Sequence, residues 1–328
     1  MAATEIAELS VAPLASTPAV GLDSPARFIN RELSWLNFNA RVLEEAMNPR
    51  HPLLERVRFL SISASNLDEF YSVRVAGLKG QEREGVTELS DDGLTPSQQL
   101  TAVNEAAHAL IREQQDVYSA LLRELRDIGV AVISPEDLSA ADRTALQTHF
   151  RKHIYPTLTP IAIDPAHPFP FLPNLGFALA LQLEVETVSK KTQIAEALVP
   201  LPSKVDRFVR LPGDDPARFI LLEDVVALFI DELFPNFRVV GLGTLRILRD
   251  SEMEIDDEAE DLVRTFESAL RRRRRGAVIR MTVTTSMPDS LRDFVAEQIL
   301  AEANDIFVLD GKNGNGCAGS IAIGVSVG

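Results

Sequence analysis

The chain has almost no cysteine: Cys317 is the single one among 328 residues. That excludes an intrachain disulfide and a zinc site built from several thiolates, and it fits a reducing, cytoplasmic setting. Long apolar runs are missing as well. The most apolar stretches, near Leu175–Leu183 and Val225–Ile230, fall far short of the roughly 20 residues needed to cross a bilayer, so no transmembrane helix is expected. Positive charge is scarce. Against 48 Asp and Glu stand 33 Lys and Arg, a net charge of −15 that argues against general nucleic-acid binding, because phosphate backbones are held mainly by Lys and Arg. An anionic ligand must therefore find a local basic site. With only 6% aromatic residues, no series of aromatic and basic side chains suggests base stacking.

What is present is the composition of a globular protein, 45% apolar and 25% charged, over a length that suggests about two domains. Residues 1–26 are rich in Ala, Ser and Pro and carry Glu5 and Glu8 where a secretory leader needs a basic start; they are read as a disordered tail. From Asn30 a helical period places Trp35, Phe38, Val42, Leu43 and Ala46 on one face, with Ser34 as a candidate cap. A second helix starts at Pro52 and buries Leu53, Leu54, Val57 and Leu60. A third is expected from Asn66 to about Lys79, since Asn66, Asp68 and Glu69 form a start resembling a capping box. An acidic loop over 80–96 precedes a much longer helix from Ser97 to Asp127, which Gly129 is placed to end. Residues 27–128 thus read as an all-helical domain.

The texture changes at Val130. Phe177, Leu179, Leu181, Leu183 and Val185 alternate as a strand does, and short strands are expected at 130–133, 197–201, 219–222, 244–248, 278–283 and 306–309. Helices are expected between them at 140–153, 225–234, 258–274 and 290–304. Six prolines over 156–173 demand an extended or turning segment. The fold class is therefore α+β: an all-α N-terminal domain, then an α/β head domain over 129–310.

Two linked motifs carry a family resemblance. E-L-S-W-L-N-F-N-A-R-V-L-E-E-A at Glu32–Ala46 and N-L-D-E-F at Asn66–Phe70, separated by an apolar helix, resemble the N-terminal region of type 1 polyphosphate kinases. The likeness extends through Tyr155–Phe171, Leu245–Glu258 and ESALRRRRRGAVIRMTV, covering about residues 27–310. It implies an ATP:polyphosphate phosphotransferase that works through a phosphohistidine intermediate with magnesium assisting, and it implies a homo-oligomer. It also implies that the catalytic histidine, the basic residues around the phosphate and the metal-linked residues belong to later domains, so that no catalytic or metal-binding residue is expected here. One nucleotide contact maps onto the chain, Asn66, as an ATP-binding residue. An amide offers donor and acceptor to a nucleotide, yet Asn66 also reads as a plain helix cap, and the two roles can coexist.

Other features are read as bland. The run Arg271–Arg275 is taken as a solvated helix end rather than a phosphate patch. His149 and His153 sit one turn apart, but their Phe, Arg and Lys neighbours disfavour a metal site, and His167 is a loop residue. Trp35 and Phe38 are taken as core anchors. GKNGNGCAGS, within the tail 311–328, lacks the P-loop arrangement and departs from the family pattern, as a truncation, frameshift or partial gene would. The fragment reading is preferred; the alternative is a stand-alone, non-catalytic binding or oligomerisation module.

Overall fold

A computed structural model of the chain describes residues 21, 24–163, 169–186, 192–213, 216–250 and 276–309. The expected tails at 1–26 and 311–328, apart from residues 21 and 24–26, the helix over 258–274, Arg271–Arg275 and His167 lie outside them.

Four helices build the first part: α1 (Arg31–Met47), α2 (Leu53–Phe70), α3 (Ala76–Arg83) and α4 (Pro96–Asp127). The cap of α1 is Asn30, whose Oδ1 accepts from the backbone of Glu32 at 3.0 Å and Leu33 at 3.1 Å, so Ser34 lies inside the helix rather than capping it. The buried face of α1 is Leu36, Asn39, Leu43 and Ala46. Phe38, expected in the core, is 49% exposed beside Arg41, whereas Trp35 is half-buried and stacks on Phe70 at 4.6 Å. Leu54, expected on the buried face of α2, is exposed, while Leu60 is buried as the period requires. Helix α4 starts with a capping box of Thr95 and Gln98 and with Pro96 in its first turn, runs about 48 Å, and ends before Gly129, whose φ of +87° suits glycine. Leu100, Val103, Ala107, Leu110, Val117 and Leu121 form its buried stripe against α1, α2 and α3.

The second part holds two sheets among the described residues. Strands β1 (Val130–Val132), β5 (Phe208–Arg210) and β6 (Ala217–Leu221) form the smaller, in the order β1-β6-β5. The larger runs β2-β4-β3-β7-β8-β9, from β2 (Ile161–Ile163), β3 (Phe177–Glu186), β4 (Thr192–Pro200), β7 (Arg238–Arg249), β8 (Val278–Thr284) and β9 (Ile306–Leu309). Only its β8–β9 pairing is parallel. Among the described residues this part also holds helices α5 (Ala140–His149), α6 (Leu222–Leu228), α7 (Ile230–Leu233) and α8 (Asp289–Ile299).

Register decides what covers the large sheet. Leu245 and Ile247 of β7 and Met281 and Val283 of β8 share one face, where they pack with Leu291 and Val295 of α8. On the opposite face, Leu179, Leu181 and Leu183 of β3 meet α5 and α6. Beside them Leu248, Ile279, Phe307 and Leu309 join the core of the helical part. The helical part is thus docked on the β7-β8-β9 end of one sheet face.

Candidate functional site

Asn66 does not begin a helix. Helix α2 runs unbroken from Leu53 to Phe70 and continues through a π-helical turn at Tyr71–Val75 into α3, so Asn66 stands in an interior turn. The side chains that resemble a cap in sequence have distant partners instead. Asn66 Nδ2 donates to Asn39 Oδ1 at 3.3 Å, and Asn39 Nδ2 donates to the backbone oxygen of Ser63 at 2.9 Å. Gln114 of α4 donates to the Ser63 hydroxyl at 2.9 Å. Asn39 is completely buried, whereas Asn66 is half-buried. The asparagines of the two linked motifs therefore meet.

Asp68, one step beyond Leu67, faces the sheet. Its carboxylate takes both Nη atoms of Arg246, at 3.1 and 2.7 Å, and also Nη2 of Arg280. Arg246 comes from β7 and Arg280 from β8, on the face that meets the helices. Three segments that carry the family resemblance thus converge on one carboxylate. Arg280 is 1% exposed, and among the described residues its Nε and Nη1 have no hydrogen-bond partner. The rings of Tyr71 and Phe307 lie 5.0 and 5.8 Å from its guanidinium carbon and supply cation–π contact instead. His108 of α4 stacks on Phe307, and burial first, then Arg112 and Arg280, lowers its affinity for a proton. Burial likewise pushes the Tyr71 phenol well above its usual range.

The charged contacts continue along the join. Phe177 lies under both Arg246 and Arg207, and Arg207 pairs with Glu223 at the start of α6. Next to Glu223, burial raises the Asp224 carboxyl to about 8, with the Glu223 charge adding to it. Asp224 Oδ2 and the hydroxyl of Tyr118 on α4 are both buried without a hydrogen-bond partner among the described residues. Elsewhere a cavity of about 350 Å³ opens beside the ion pair of Lys79 and Asp305, with Arg83, Arg249 and Glu302 also on its wall. Asn66 is not part of that wall. His149 and His153 are exposed, with ring centroids 5.0 Å apart, and no three His, Cys, Asp or Glu side chains stand together as metal ligands among the described residues.

Asn66 stands out in the sequence, whereas Asn39, Arg246 and Arg280 do not. A signal for the arginines did exist: in R-I-L-R and V-I-R-M they occupy strand positions in phase with the buried Leu248 and the buried Thr282. Asn39 gave none, since a polar residue on the buried stripe of α1 looks like a break in the pattern.

The chain is thus a helical unit docked on a mixed sheet through one largely covered carboxylate and two buried arginines. The polyphosphate kinase N-terminal domain family matches residues 28–133, and the polyphosphate kinase middle domain family matches residues 141–316. The chain belongs to the polyphosphate kinase family. It is 49% identical over 288 residues to the polyphosphate kinase of Erythrobacter litoralis, covering 87% of this chain and 39% of that protein. With the polyphosphate kinase of Prosthecochloris aestuarii it shares 41% identity over 303 residues, covering 89% and 42%. The crystal structure of polyphosphate kinase from Porphyromonas gingivalis has the same fold, with a TM-score of 0.69 at 24% identity, over 86% of this chain and 39% of that one. The chain therefore spans about two fifths of the length of these relatives.

Proposed function

We propose that this chain supplies the N-terminal and middle domains of an ATP:polyphosphate phosphotransferase, and that Asn66 contacts the nucleotide. The observation that carries the reading is the held amide of Asn66, which keeps surface access where the two family motifs meet. In this reading ATP gives its γ-phosphate to inorganic polyphosphate by way of a phosphohistidine. Phosphoryl transfer depends on positioning and on neutralising the phosphoryl oxygens. In this reading the groups that do so, and the ligands of magnesium, belong to polypeptide outside the matched domains. What this chain contributes is one wall of the nucleotide site and the surfaces through which copies assemble into a homo-oligomer.

Two measurements test it. Calorimetric titration with ATP and magnesium is expected to show binding that Asn66→Ala weakens about three- to tenfold, the worth of one or two neutral hydrogen bonds. Identical affinities for the two proteins sink the assignment. Incubation with labelled ATP should yield neither polyphosphate nor an acid-labile phosphohistidine, and either product would overturn the placement of the transferring groups elsewhere.

A further inference from the structure

The polarity of the hydrogen bonds behind Asn66 is not arbitrary. A backbone carbonyl can only accept, so the group of Asn39 that faces the Ser63 oxygen at 2.9 Å must be its Nδ2. That leaves Asn39 Oδ1 as the atom facing Asn66, and an acceptor there demands the Nδ2 of Asn66 opposite it, as found at 3.3 Å. The ambiguity that normally surrounds an asparagine amide is thus removed by one main-chain oxygen two hydrogen bonds away. Asn39 is 0% exposed, between α1 and α2, and its own flip is prevented by the same contact. Among the described residues Asn66 makes this one side-chain hydrogen bond, and its Oδ1 is not among the buried unpartnered atoms, so that oxygen reaches the surface as an open acceptor.

We infer that Asn39 is a positioning residue that turns the carbonyl oxygen of Asn66 outward, so that the ligand group meeting that oxygen is a hydrogen-bond donor. This rests on Asn66 being a nucleotide contact. Phosphoryl oxygens of a nucleoside triphosphate are acceptors near neutral pH, so they do not satisfy Oδ1. The donors on ATP are the amino group of the base and the ribose hydroxyls, which places the nucleoside end of the ligand, rather than its triphosphate, against Oδ1. Asparagine facing the amino group of adenine is a familiar pairing in nucleic-acid readout, for the same donor–acceptor reason.

The test uses the full chain in four forms: wild type, Asn66→Ala, Asn39→Leu and Asn39→Asp. The Asn39→Leu substitution removes both hydrogen bonds. By contrast, Asn39→Asp keeps an acceptor for Asn66 Nδ2 and so rescues the orientation, even where it weakens the fold. Each form is titrated with ATP, with ITP, which lacks the amino group, and with 2′- and 3′-deoxy ATP. In wild type one of these deletions is expected to lower affinity about tenfold, with its identity naming the donor; in Asn39→Leu that discrimination disappears, and in Asn39→Asp it returns. Discrimination unchanged in Asn39→Leu, or affinity independent of every donor on the nucleoside, overturns the inference while leaving the Asn66 contact intact. Absence of ATP binding to wild type instead defeats the functional reading. The relay is then still decided by the side-chain amide signals of Asn66 in a nitrogen-15 spectrum: slowed hydrogen exchange lost in Asn39→Leu supports it, and signals that ignore Asn39 refute it.

Discussion

The two faces of the six-stranded sheet at β7 and β8 solve the same burial problem in different ways. Toward α8, Leu245, Ile247, Met281 and Val283 meet Leu291 and Val295 in an apolar cluster. Toward the helical domain, neighbouring positions of the same strands hold Arg246 and Arg280, both nearly sealed from water and both paired with Asp68. An apolar face degrades by degrees when a side chain is shortened, because its neighbours relax into part of the space. A buried charge cluster has no such gradation, since removing one partner leaves the others desolvated and uncompensated.

Breaking the cluster is therefore expected to give the largest effect. Asp68→Ala leaves the buried guanidinium of Arg280 without its carboxylate and takes an ion-pair partner from Arg246, and should cost about 3–5 kcal/mol, read from denaturant midpoints at constant slope. A cost below that of an ordinary core truncation would show that water reaches the arginines. Replacing all three residues together by apolar ones of similar volume, Asp68→Leu with Arg246→Met and Arg280→Met, is expected to recover most of the loss, because the desolvation penalty goes with the charges. Failure to recover would mean that the cluster specifies how the two domains dock.

On the apolar face, Leu291→Ala removes a fully buried side chain of α8 and should destabilise by about 3 kcal/mol, the transfer and cavity terms together. Proteolysis would then cut first around α8 rather than between the domains. If cleavage falls at the domain join instead, the two faces unfold as one unit.

The last prediction concerns pH. The carboxyl of Asp224, near 3.9 in an unfolded chain, is raised to about 8 by burial and by Glu223. Its folded form binds the proton more tightly, so the stability this group contributes is complete below about pH 4 and is lost as pH rises through about 8. Asp224→Asn imitates the protonated carboxyl and should melt progressively higher than wild type between pH 5 and 9, with no difference near pH 4. A difference that stays constant with pH would refute this account.

Much of the architecture was legible because it rests on long periods. The stripe on α4 and the alternation in β3 each persist over several repeats, and both elements stand where the pattern placed them. Strands β2 and β5 escaped because three residues carry no period, and β2 lies within the proline-rich stretch. Asn66 stands out through its motif, but its local setting is not that of a helix start: a polar residue followed by two acids looks like one only while partners remote in sequence are invisible. Arg246 and Arg280 were hidden for the same reason, since what makes them structural lies 178 and 212 residues away.

That separation also orders events during synthesis. The helical domain is made first and its helices pack on one another, so it can close while the ribosome is still making the sheet. Until β7 emerges with Arg246, Asp68 stands on its surface as a hydrated carboxylate. The growing chain thus presents an acidic guard at the place that will later become one of its driest junctions.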